Sequence, residues 1–163
     1  MDSNTKIVQS TMALIPAYHE VYKTIILDQS GEKRYSTKSI REILEENCIA
    51  NGATYDGRVK SVRKALGYDK KTPLMISQQD RIFAYPTISP DHYDCIWIFY
   101  RHIETFSMIE GKPYVHFKNG DKLKVNCSLD TLKKQRDKTA NTMFYFSQPT
   151  NLSISINQQG VNS

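Results

Sequence analysis

An Asn119-Gly120 pair stands between two alternating runs, PYVHF before it and KLKVNC after it. Asn and Gly tolerate the left-handed backbone that a tight connection needs, so the pair marks an antiparallel hairpin and pins its register. Hairpin logic extends upstream. The polar turn SQQD separates PLMIS from RIFAYPT, and a turn at Ser30-Gly31 follows VYKTIILD, so residues 8–35 read as strands with a hairpin-like connection. CIWIFYRHI, over 95–103, is a continuous β-branched and aromatic run and the best candidate for a central strand. ETFSMIEG continues the strand-rich half.

Three segments break this pattern. In STKSIREILEENC, Ile40, Ile43 and Leu44 recur at i, i+3, i+4 behind the capping candidates Ser36, Thr37 and Ser39, which predicts an amphipathic helix. NGATYDGR is rich in turn formers. VKSVRKALGY then places Val59, Val62 and Leu66 on one stripe, closed by Gly67. SLDTLKKQRDKTANTMF starts at the N-cap candidate Ser128 and carries Leu129 and Leu132 on its apolar side. After FYF the chain turns polar and weakly patterned. The reading is an α+β fold, mainly antiparallel β-sheets and hairpins with two or three flanking helices. Residues 1–147 form one domain, and 148–163 are expected to be a flexible polar tail.

Composition narrows the function. No apolar run approaches the roughly 20 residues of a membrane span, and MDSNTKIVQST lacks a secretory pattern. Cys48, Cys95 and Cys127 are odd in number and far apart, which suits free thiols in a reducing cytoplasm. The spacing of Gly52 and Gly57 imitates a phosphate-binding loop. Arg58 and Val59, however, stand where that loop needs lysine and a hydroxyl, and a helical pattern precedes it where a strand should. His19, His92, His102 and His116 are scattered, with no ligand spacing among them or the cysteines, so no metal and no cofactor is expected. No carboxylate pair or activated nucleophile is visible, and the chain does not read as an enzyme.

The charge distribution says more. Residues 58–71 hold six basic side chains and one acid, and 133–138 hold four and one, while the rest of a chain of net charge +5 is acidic on balance. Basic residues concentrated in two short segments suit a polyanion partner. The candidate DNA-contacting residues are Arg58, Lys60, Arg63, Lys64, Lys70 and Lys71 in the first segment, and Lys133, Lys134, Arg136 and Lys138 in the second. With Val59, Val62 and Leu66 turned to the core, the first set is expected to face solvent. The bland alternative is that both runs are only solvated surface.

The string Cys48-x3-Gly52-x2-Tyr55-x-Gly57-Arg58 resembles the corresponding stretch of the ComK family, the competence transcription factors of Gram-positive bacteria. The likeness runs through Lys71-x-Pro73-Leu74-Met75, IFAYPT, Cys95-x-Trp97-Ile98, FKNG and Ser128, in order, over about residues 45–140. It implies a cytoplasmic activator, nucleoid-associated when bound, that acts as a homodimer on double-stranded DNA at AT-rich promoter boxes and enters the minor groove. On that likeness Arg58 would reach into the groove, while Lys60, Arg63, Lys64, Lys70 and Lys71 would position the backbone. Typical members continue with a charged C-terminal extension. The resemblance ties transcriptional activation and capture by a proteolytic adaptor to that extension, and RNA polymerase or such an adaptor is the further partner it implies. Residues 114–138 are also similar in element order to LytTR-type DNA-binding domains, which would lead to the major groove.

The expectation is a sequence-specific DNA-binding regulator of competence-type genes. The alternative is a protein-interaction module with no direct DNA readout.

Overall fold

Each predicted hairpin forms, and burial arranges them in layers. The computed structural model describes residues 5–148. Strands β1 (Thr11–Pro16), β2 (Thr24–Asp28) and β3 (Lys33–Ser36) come first, then helices α1 (Ile40–Ala50) and α2 (Tyr55–Leu66). Strands β4 (Leu74–Ser77), β5 (Ile82–Pro86) and β6 (Trp97–Phe99) complete a six-stranded antiparallel sheet in the order β3-β2-β1-β6-β5-β4. Strands β7 (Ile103–Ile109), β8 (Lys112–Phe117) and β9 (Lys122–Lys124) make a second antiparallel sheet, and α3 (Leu129–Ser147) follows.

The large sheet is apolar on both faces because both are covered. On one face Leu14, Ile26, Leu74, Ile76, Ala84, Trp97 and Phe99 pack against Ile43, Leu44, Cys48 and Tyr55 of α1 and α2. On the other face Ala13, Tyr85, Ile96 and Ile98 meet Val115 and Phe117 of β8 and Leu132 of α3. The result is three layers: two helices, the six-stranded sheet, and the small sheet with α3. A bulge between Thr11 and Ala13 lets consecutive Met12 and Ala13 join the second face. Buried Asn47 staples the start of the chain to α1, accepting from Ile7 N at 2.8 Å and donating to Thr5 O at 2.9 Å.

Helix starts follow the capping residues. Ser39 and Glu42 form a capping box at α1, and Thr54 and Ser128 cap α2 and α3. Two expectations need correction, and a third, the Asn119-Gly120 hairpin, forms as expected with a different turn geometry. First, α2 begins at Tyr55, so Gly57 lies inside a helix and not in a turn. Tyr55 is the reason: its buried ring meets Trp97 edge-on, extending the Val59, Val62, Leu66 stripe by one turn. Second, CIWIFYRHI is not one strand. Only Trp97–Phe99 pairs in the large sheet, centrally between β1 and β5, before a 3-10 turn over Tyr100–His102 carries the chain into the second sheet. Third, the two-residue turn with positive φ at both positions is Glu110-Gly111 (φ 50° and 77°), while at Asn119-Gly120 only the glycine is left-handed (φ 95°). Apart from Gln148, the expected polar tail lies outside the described residues. Among the described residues no helix is long and apolar enough to cross a membrane.

Candidate nucleic-acid interface

The two basic segments belong to different layers, α2 on one face of the large sheet and α3 on the other. Residues 67–72 join them at the β4 edge. Gly67 ends α2 in the left-handed conformation (φ 73°), its N–H donating to Arg63 O at 2.8 Å, and so releases the chain from the helix. Lys71 also lies at positive φ (47°), a conformation that costs a non-glycine residue about 1 kcal/mol or more unless its surroundings enforce it. They do. The buried Gln135 side chain of α3 donates to Lys71 O at 2.7 Å and to Pro86 O at 3.2 Å. Lys138 Nζ donates to Lys70 O at 2.9 Å and sits 4.9 Å from the Tyr68 ring centroid, and Tyr68 Oη donates to Lys138 O at 3.4 Å. Arg63 Nε donates to Thr72 Oγ1 at 2.9 Å.

Arg63, Lys70, Lys71 and Lys138, drawn from both segments, therefore stand together. The Lys138 ammonium registers their field: its pKa is held below the usual lysine value, first by burial and then by repulsion from Lys71 and Arg63, with Asp69 opposing. A cluster whose own lysine is discouraged from carrying charge gains when an anion approaches. One turn before Lys138 on the same side of α3 is Lys134, whose contact with Asp130 (3.0 Å) is solvent-exposed and easily exchanged. Lys60 and Lys64 are exposed on the outer side of α2, with no ion pair among the described residues.

Three of the ten candidates lie apart. Lys133 is exposed on α3, away from the loop side. Arg136 turns toward the small sheet, its guanidinium 5.2 Å from the Phe106 ring centroid and 3.6 Å from Asp137. Arg58 does not project as expected. It is half-buried and donates from Nη2 at 2.8 Å to the carbonyl of Asn51, the residue whose N–H caps α1, while its buried Nε has no partner among the described residues. The reason is again the earlier start of α2, which puts Arg58 on the flank beside α1.

A cleft of about 570 Å³ adjoins the cluster, lined by Arg41, Arg63, Lys70 and Lys71 and by Asp56, Asp69 and Asp91. The sequence reading passed over Arg41. Its guanidinium lies 3.8 Å from the Tyr55 ring centroid and bonds Asp56 at 2.9 Å. The four-residue link between α1 and α2 imitates a helix-turn-helix. The positions that such a motif offers to base edges hold buried Tyr55 and paired Asp56, which suits packing and not readout. Burial pushes the Cys48 thiol up to about 12 and the Cys95 and Cys127 thiols up to about 11, which disfavours thiolate chemistry. Among the described residues no three His, Cys, Asp or Glu side chains gather where they could hold a metal ion.

One basic surface escaped the sequence reading altogether. Lys112, Lys122 and Lys124 are exposed on the small sheet, and none has an ion pair among the described residues. The signal was available in K-L-K, whose alternation puts both lysines on the face opposite half-buried Leu123.

A family model described as ComK protein matches residues 3–151. The competence transcription factor of Bacillus subtilis (strain 168) is 28% identical over 100 residues, 61% of this chain and 52% of that protein. The chain thus spans about half the length of the curated relative it matches. No solved structure matches it.

Proposed function

The chain belongs to the ComK family, and on that premise we propose that it is a transcription regulator that binds double-stranded DNA at AT-rich promoter boxes. The observation that carries the reading is the convergence of Arg63, Lys70, Lys71 and Lys138 at the β4 edge, from segments about seventy residues apart. The similar protein is named as a competence transcription factor, and the same role is proposed here. The cluster anchors phosphates, and Lys60, Lys64 and Lys134 extend the contact along the backbone. Preference for AT-rich sequence comes from the narrow minor groove, whose concentrated negative potential attracts the whole patch. Arg58 braces α1 against α2 and is not the groove reader. Binding as a homodimer on paired boxes is part of the proposal, as are contacts to RNA polymerase or a proteolytic adaptor.

The test is a titration of labelled duplexes (an AT-box pair, a scrambled duplex and a GC-rich one) at stepped salt. The four clustered side chains alone give a log–log slope of about −3.6, so affinity should fall at least about 150-fold between about 50 and 200 mM salt, and more steeply where Lys60, Lys64 and Lys134 also engage. Tighter binding to the AT-box than to the scrambled duplex is expected. Salt-independent or absent binding would leave the protein-interaction reading in its place.

A further inference from the structure

We propose that the solvent-facing side of the three-stranded sheet is a second nucleic-acid surface, built for single-stranded DNA. Its composition follows from strand alternation. Val115, Phe117, Phe106 and Leu123 turn inward to the core shared with α3, so Tyr114 and His116 of β8 turn outward. Across the sheet Thr105 pairs with His116 and His116 with Lys122, while Ser107 pairs with Tyr114 and Tyr114 with Lys124. Lys112 closes the row beside Ile109. Two half-buried rings on the central strand are thus flanked by three exposed lysines. The acids of this sheet lie at its margins: Glu104 at the bulge, Glu110 in the β7–β8 turn and Asp121 in the β8–β9 turn, bonded to Asn119.

The chemistry favours an unpaired strand. Lysines without ion pairs attract any polyanion, but a duplex keeps the π-faces of its bases stacked inside. An unpaired strand offers those faces to Tyr114 and His116 while Lys112, Lys122 and Lys124 take its phosphates. Neither ring stacks on another aromatic side chain among the described residues. A hydrogen bond between Ser107 Oγ and His116 Nε2 holds the imidazole across the β7–β8 pair. Side chains two residues apart on β9 are roughly 6.6 Å apart, so Lys122 and Lys124 meet successive anionic groups along a strand. DNA is the occupant because it is the nucleic acid proposed for the β4-edge cluster. The face itself is independent of that cluster and uses none of its residues.

The test uses the full chain and a labelled oligothymidine of roughly 16 nucleotides, followed by fluorescence anisotropy at low salt. Tyr114→Ala should weaken binding at least about fivefold, and Tyr114→Phe, which keeps the ring, should bind as the wild type does. Replacing both Lys122 and Lys124 by Gln should lower the salt slope by about 1.4. Duplex affinity should stay within about twofold in these variants, and the Lys70→Ala/Lys71→Ala double variant should still bind oligothymidine. Wild-type protein that ignores oligothymidine, a Tyr114→Ala variant as tight as wild type, or tighter binding of oligouridine would each overturn the proposal. Loss of AT-box binding with oligothymidine binding intact would remove the duplex reading and leave this one standing.

Discussion

Replacing Arg58 by Ala separates a brace from a groove reader. The guanidinium bonds Asn51 O at 2.8 Å, a charge-assisted contact of about 1.5–3 kcal/mol. Its Nε is buried with no partner among the described residues, and removing it relieves a penalty of about 1–3 kcal/mol. The two largely offset each other. What remains is the packing of the aliphatic stem between α1 and α2, so the net loss should be about 1 kcal/mol, or about 2–4 °C in melting temperature. Thermal unfolding followed by circular dichroism measures this directly. In parallel, the AT-to-GC affinity ratio should stay within about twofold, because no groove contact is lost. Arg58→Lys sharpens the test: a reader acting through charge would be rescued, and a brace that needs the forked guanidinium would not. An unchanged melting temperature with a tenfold or greater collapse of the AT-to-GC ratio would refute the brace and restore Arg58 as the reader.

Neutralising Lys70 and Lys71 together should reduce the duplex salt slope by about 1.8 and weaken all sequences alike; a loss confined to AT-boxes would contradict their anchoring role. Gln135→Leu strands the carbonyls of Lys71 and Pro86 without their donor and should cost about 2–3 kcal/mol in urea unfolding. An unchanged urea midpoint would show that α3 does not clamp the 67–72 loop. Lys138 gives a pH signature. Its folded pKa lies below the unfolded value, so between the two the unfolded chain holds the proton more tightly and Lys138's own contribution to stability rises with pH. The buried thiols, whose folded pKa values are raised, pull the overall profile down at high pH. The readout is therefore the difference in urea midpoint between wild type and Lys138→Met, which should shift in favour of the wild type as pH rises to about 10; a pH-independent difference would mean that Lys138 feels no such field.

The parts of the fold that could be read from sequence are those set by neighbours in the chain. Ser39 and Glu42 cap α1 with their own side chains, and SQQD and Asn119-Gly120 turn strands that pair with the next strand along. Such contacts lie within a few residues of each other, where local conformation decides. Tyr55 shows where this stops. As a tyrosine in a turn-rich string it looks like loop, and only the Trp97 ring, forty-two positions later, makes it the first buried residue of α2. Moving that start by one turn changes Arg58 from a protruding side chain into a strut. Local patterning also joined β6 to β7, because a β-branched run does not record that Ile103 and Trp97 belong to different sheets.

The site follows the same rule at longer range. That Lys70, Lys71 and the 133–138 run are basic is plain in the sequence; that Lys138 bonds the carbonyl of Lys70 is not, because α2 and α3 lie on opposite faces of a sheet and meet only around its β4 edge. The meeting also explains why two charged segments tolerate each other. The bonds that join them run from cationic or amide donors to neutral carbonyls: Lys138 to Lys70 O and Gln135 to Lys71 O. The backbone is satisfied while the charges are left without ion-pair partners among the described residues. Asp56, Asp69 and Asp91 line the adjoining cleft, yet among the described residues none of them forms an ion pair with Arg63, Lys70, Lys71 or Lys138. A fold that fastens two basic segments together through backbone acceptors, leaving their repulsion unrelieved, keeps that repulsion available for an external polyanion to relieve.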